Sequence, residues 1–187
     1  MRTILALLLL AGCLARPPGS PHDRFFAQLS ALCGKAFTGR LETSDPADTA
    51  FASQPLVMHV RDCRADEVRI PFHVGEDRSR TWIISRTADG LRLKHDHRHS
   101  DGSPDAQTQY GGDTVLPGSP GRQAFPADDY SKALFVRGGR QASIANVWAT
   151  EIEPGVAFVY ELARPGRLFR VRFDLTRPMP PPAPQVH

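Results

Sequence analysis

Residues 147–175 read Val147-Trp148-Ala149-Thr150-Glu151-Ile152-Glu153-Pro154-Gly155-Val156-Ala157-Phe158-Val159-Tyr160-Glu161-Leu162-Ala163-Arg164-Pro165-Gly166-Arg167-Leu168-Phe169-Arg170-Val171-Arg172-Phe173-Asp174-Leu175. Three runs, 147–152, 156–162 and 168–175, are parted by Glu153-Pro154-Gly155 and Arg164-Pro165-Gly166. In the last run Phe169, Val171, Phe173 and Leu175 oppose Leu168, Arg170, Arg172 and Asp174, the two-residue period of a strand buried on one face. Turns this short have no room for a crossover helix, so neighbouring strands pair antiparallel as hairpins.

The same grammar extends upstream. Val68, Ile70, Phe72 and Val74 lie on one face of a strand, with Glu67, Arg69 and His73 on the other. Asp89-Gly90 separates 81–86 from 91–97. Some eight to ten strands are expected, near 36–42, 56–62, 67–74, 80–86, 91–98, 107–115, 121–125, 145–152, 156–162 and 167–175. Helical signal is confined to two places. Asp23 caps a short helix carrying Phe25, Phe26, Leu29 and Leu32 on one stripe and ended by Gly34, and a second helix is expected over 127–134, after Pro126. The class is mainly β, an antiparallel up-and-down meander. Such a meander removes its edges by curling into a barrel.

An N-terminal helix, a first strand with Phe37-Thr38-Gly39 and then consecutive hairpins resemble the calycin barrels, the lipocalin and fatty-acid-binding type. That resemblance implies a barrel that takes a small apolar or amphipathic ligand in its interior. The Gly-x-Trp signature of lipocalins is absent from strand one. An open sheet or sandwich with the helix packed on it is the alternative architecture.

At the N-terminus Arg2 precedes an apolar run, 3–10, and Leu10-Ala11-Gly12-Cys13 follows. This layout is that of a secretory signal, and the run is too short for the ~20 residues a bilayer requires. The four residues resemble the lipobox of bacterial lipoprotein precursors, which implies lipidation of Cys13, a membrane anchor and a place in the cell envelope. Leu14 after the cysteine resembles outer-membrane sorting, facing the periplasm; plain secretion after cleavage beyond Cys13 is the alternative. Residues 1–12 then form a signal peptide, 13–21 a tether, 22–176 one β-barrel-like domain and 177–187 a proline-rich disordered tail. Removing Cys13 leaves Cys33 and Cys63, and an exported protein is expected to join them in a disulfide. Neither cysteine has redox or zinc-ligand spacing.

Twenty-three basic and 20 acidic residues give a formal net charge of +3. The charges are interspersed, apart from an acidic stretch (Asp101, Asp105, Asp113, Asp128, Asp129) and a basic one (Arg164, Arg167, Arg170, Arg172), both read as solvated faces. The chain has no electrostatic footprint for nucleic acid.

One segment carries chemistry. In Leu91-Arg92-Leu93-Lys94-His95-Asp96-His97-Arg98-His99, alternation places His95, His97 and His99 on the face shared by Leu91 and Leu93. Two such imidazoles can grip one zinc or copper ion, with a third ligand from His73, His59 or Glu76. Hydrated histidines at a strand end, bonded to Asp96 and Asp101, are the plainer expectation. The polar connection 76–80 is a candidate rim of the barrel mouth. Trp82, Phe158 and Tyr160 are candidate ligand-lining residues, and otherwise core. No nucleophile-elbow, zinc-protease or phosphate-loop motif is present. The reading is a non-enzymatic envelope lipoprotein that binds a small ligand. A structural envelope protein with an unidentified protein partner and a histidine-dependent zinc- or copper-binding protein or metalloenzyme are the alternatives.

Overall fold

The last three strands pair as their turns require. Along the chain the strands are β1 (Ala36–Leu41), β2 (Leu56–His59), β3 (Asp62–Cys63), β4 (Glu67–Val74), β5 (Asp77–Arg86), β6 (Leu91–His97), β7 (Tyr110–Asp113), β8 (Arg122–Pro126), β9 (Val147–Glu153), β10 (Ala157–Arg164) and β11 (Arg167–Met179). Phe158 faces both Ile152 on β9 and Phe173 on β11. The α-helices are α1 (Pro21–Ser30), α2 (Thr49–Ala52) and α3 (Asp129–Arg137). This is a computed structural model that describes residues 19–183. The apolar run, the lipobox with Cys13, most of the tether and residues 184–187 lie outside the described residues. Among the described residues no helix is long and apolar enough to cross a membrane.

All ladder pairs are antiparallel, in the order β7-β6-β5-β4-β2-β1-β11-β10-β9-β8, with β3 on β4. The first strand pairs with the last, so the meander curls into a nearly closed barrel whose free edges, β7 and β8, come together. No ladder joins them. The Asp128 N–H donates to the Gly111 carbonyl at 2.9 Å. The Ser131 hydroxyl, wholly buried, accepts from the Gly111 amide at 2.7 Å and donates to the Gly111 carbonyl at 2.9 Å. A Cβ on Gly112 would sit 1.8 Å from the Pro126 carbonyl oxygen. The strands approach this closely only because no side chain intervenes.

One end of the barrel is stoppered by α1. Phe25, Phe26 and Leu29 are buried in the core, and Arg86, at the far end of β5, bonds Asp23 at 2.5 Å and lies over the Phe26 ring. The start of this helix differs from expectation. Ser20, not Asp23, is the N-cap; Asp23 is the third residue of a capping box with Ser20, so the helix begins at Pro21, inside the expected tether. The second expected helix is α3, which begins later, at Asp129, because the Asp128 side chain caps it. Cys33 and Cys63 form the disulfide, with Cα atoms 6.2 Å apart. It ties the turn after α1 to β3.

The proline run joins the sheet further than expected. β11 continues to Met179, with Pro178 facing Phe37. A register shift between Phe37 and Gly39 accommodates it, and a bulge is where a residue without an N–H is tolerated.

Two stability measurements check this account. Ser131→Ala removes both bonds of the hydroxyl to Gly111, leaving its carbonyl only the Asp128 amide, and is expected to cost about 1–3 kcal/mol in urea unfolding; unchanged stability would show that the hydroxyl does not close the seam. A Cys33→Ser/Cys63→Ser variant is expected to lose ~3.7 kcal/mol, the chain-entropy value for a loop of this length, read as a lower melting midpoint than the oxidised protein.

Candidate functional site

A cavity of about 170 Å³ lies at the end of the barrel opposite α1. β6 supplies His95 and His97, whose side chains point inward with Leu91 and Leu93 because residues two apart share a face. β5 supplies Trp82 and Arg80, β10 Tyr160 and β7 Tyr110. Phe51 of α2 spans the opening. Its ring stands 4.9 Å from Phe169 of β11 and 6.3 Å from Phe72 of β4, strands separated by β1 and β2. The segment 46–52 is therefore a partial cover over a mouth that stays open to solvent. Asp48, almost wholly buried, holds it down by accepting from both Nη groups of Arg167 at 2.5 and 2.7 Å, and Asp45 adds a contact at 3.1 Å.

The polar edge of the cavity is a chain of neutral groups. His95 donates from Nδ1 to the Tyr110 carbonyl at 3.0 Å, which leaves Nε2 to accept the Tyr160 hydroxyl at 2.7 Å. The Tyr110 ring stacks on His95 at 4.5 Å, and its hydroxyl lies 3.1 Å from His97 Nε2. Burial pushes His95 down to about 3 and Tyr110 up to about 12. Burial holds Tyr160 well above the usual tyrosine range too, and His97 is lowered by burial and then by the nearby Arg80 cation. Near neutrality these four groups carry no charge. Charge enters at the mouth, on Arg80, bonded to Asp77 at 2.5 Å, and on the clamped Arg167.

Of the three candidate aromatic residues, Trp82 and Tyr160 line the cavity, stacked at 4.3 Å. Phe158 packs deeper, 6.3 Å from Trp82 and 6.1 Å from Phe173, outside the lining. The histidines part company. His95 and His97 share the interior, but β6 ends at His97, so His99 lies beyond the strand and exposed. His73 is on the outside of the barrel, across the wall. Both ring nitrogens of His95 are engaged, by the Tyr110 carbonyl and the Tyr160 hydroxyl. Among the described residues no three His, Cys, Asp or Glu side chains are grouped to hold a metal.

Sequence reasoning placed the 76–80 connection at a mouth beside the histidine strand, and Arg80 does pair in register with His97. It missed the cover, Arg167 and Tyr110. Arg167 reads as one more member of a basic stretch, whereas Arg170 of that stretch bonds Glu42, Glu151 and Glu161 on the outer face. Only the Asp45-Pro46 start of the cover, an aspartate capping a proline-led turn, is a usable signal.

Fold and site together define a small up-and-down β-barrel with a covered, aromatic-walled cavity. No family model, no curated protein and no solved structure is significantly similar to the chain.

The buried neutral imidazole makes stability depend on pH. With His95 near 3 in the folded state and near 6.5 unfolded, the unfolded chain binds the extra proton between those values. The contribution is complete above 6.5 and is lost as pH falls toward 3. From pH 7 to 4.5 this residue alone is expected to cost about 2–3 kcal/mol in urea unfolding. His95→Gln, which can still accept from Tyr160 and donate to Tyr110, is expected to flatten that dependence. The same slope in the variant would remove His95 as its source.

Proposed function

We propose that this protein is a non-enzymatic binding protein of the cell envelope, anchored through lipid on Cys13 to the outer membrane and facing the periplasm. It takes one small amphipathic ring compound into the covered end of its barrel. The observation that carries the reading is the cavity itself: Phe51, Phe72, Trp82 and Phe169 form an apolar wall against one polar edge made by Tyr110, Tyr160 and His97. A cavity near 150 Å³ suffices for a benzene molecule, so about 170 Å³ suits a single ring with a small polar substituent. An apolar body with few placed polar groups is the make-up of small-molecule sites. Inside the cavity these polar groups are neutral and hydrogen-bonded, Tyr110 to His97 and Tyr160 to His95, while the charges of Arg80 and of the Asp48–Arg167 pair stand at the mouth. That suits recognition better than proton transfer, which works best with a group titrating near the working pH. Arg2, the apolar run and Leu10-Ala11-Gly12-Cys13 support export and anchoring. The disulfide suits an oxidising compartment.

Tryptophan fluorescence of the protein titrated with p-cresol tests the binding reading. Trp82 in the wall is expected to give a saturable change, and Leu162→Trp, which enlarges another residue of the cavity lining and so fills it, is expected to abolish it. No saturation up to roughly 10 mM, or undiminished binding in Leu162→Trp, would sink the proposal. Anchoring is tested separately, by incorporation of labelled fatty acid that disappears in Cys13→Ser.

A further inference from the structure

The outer wall of the barrel carries a second concavity, away from the covered cavity. Its floor is short: Pro71 of β4 faces Thr81 of β5, which faces Asp96 of β6, three neighbours in one row of the sheet. Ser79, one position along on the same face, extends it. Around this floor stand four arginines. Arg69 and Arg61 flank one side, the Arg61 N–H donating to the Arg69 carbonyl at 3.0 Å; Arg78 stands beside His73, and Arg98 beside Asp96. Together they enclose a depression of about 210 Å³.

Each guanidinium has a carboxylate nearby, yet those partners leave the depression cationic. Arg61, Arg69 and Arg98 bond Asp62, Glu67 and Asp96 through Nε, at 2.9, 2.8 and 2.9 Å. That geometry uses one edge of each fork; Arg98 also gives Nη1 to the Gly102 carbonyl at 3.0 Å, so Nη2 of Arg98 and the Nη groups of Arg61 and Arg69 lie outside these pairs. Arg78 gives Nη1 to the Ala183 carbonyl and lies 3.6 Å from the fully exposed Glu76. Of the four acids only Asp96 lines the depression, and its other oxygen is occupied by Gln109 at 2.9 Å. His73 is buried and held neutral by desolvation and by Arg78.

We infer that this concavity is a binding site for a tetrahedral oxyanion of the phosphate class, free or carried on a lipid headgroup, held by Arg61, Arg69, Arg78 and Arg98 over the Thr81 and Ser79 hydroxyls. Guanidinium forks converging from several sides match such an anion, with charge-assisted bonds from each. The volume exceeds what the anion alone needs and leaves room for an ester substituent. This site is independent of the interior cavity, and neither reading depends on the other.

The test is isothermal titration of the full chain with inorganic phosphate, beside co-sedimentation with phosphatidylcholine vesicles containing phosphatidic acid. Two variants probe the site: Arg69→Gln/Arg98→Gln removes donors, and Thr81→Glu places a carboxylate on the floor without touching an arginine. Arg137→Gln/Arg172→Gln removes the same charge elsewhere. Binding in either arm is expected to weaken roughly tenfold or more in both site variants and to hold in the distant one. Phosphate titration identifies a free anion; vesicle binding alone identifies a headgroup. No binding in either arm, or equal loss in the distant variant, would overturn the inference. Unchanged melting of Thr81→Glu separates lost binding from lost fold.

Discussion

The barrel stands or falls on how its two free edges meet. A ten-strand path has two rows of unpaired amides and carbonyls, and leaving such groups buried without partners is costly. Here the rows are not zipped by a ladder. They are brought together at Gly111 and Gly112, where Gly111 is satisfied by the Asp128 amide and by Ser131 of the helix that follows β8. α3 is thus part of the wall. Its N-cap, Asp128, also binds Lys94 of β6 at 2.5 Å, which draws the capped helix against the strand that carries the histidines.

That closure sets the interior. With α1 in one end and the cover at the other, aromatic side chains of β4, β5, β7, β10 and β11 line a narrow lumen. His95 is held by groups from both sides of the seam, the Tyr110 carbonyl on β7 and the Tyr160 hydroxyl on β10. Its neutrality is a consequence of the closed wall and not of a private partner. The cover is secured differently, by a buried ion pair. An aspartate as sheltered as Asp48 is costly to leave uncompensated, so the Arg167 fork and the cover are coupled: moving one exposes the other.

Much of the architecture was legible because its signals are local. Pro-Gly and Asp-Gly turns declare hairpins, and alternation in 168–175 declares which face is buried. The misreadings have local causes too. Ser20-Pro21-His22-Asp23 is a capping box whose fourth residue was taken for the cap. Gly111-Gly112 falls inside the expected strand 107–115, and only the folded sheet reveals a place where two strands touch. At the site, alternation correctly sent His95 and His97 inward. It could not say that the strand stops before His99, or that the nearest hydroxyl belongs to a residue on a strand far along the chain. Arg167 was indistinguishable from Arg170 and Arg172, because which end of β11 lies under the cover is a property of topology, not of composition.

The pairing of the first strand with the last has a consequence for assembly. β1 finds β2 soon after it is made, but its other edge stays open until β11, at the far end of the chain, arrives to set Ala36 against Met179. Contacts so distant in sequence close slowly, and an open strand edge is a template for any matching strand. The Cys33–Cys63 crosslink brackets β1 and β2 and holds that edge in shape while it waits. The strand that completes one barrel fits the gap in another equally well. Strand exchange between two copies, each lending its β11 to the other, is therefore the misassembly this topology favours, and it would trade one closed barrel for an intertwined pair with identical hydrogen bonds.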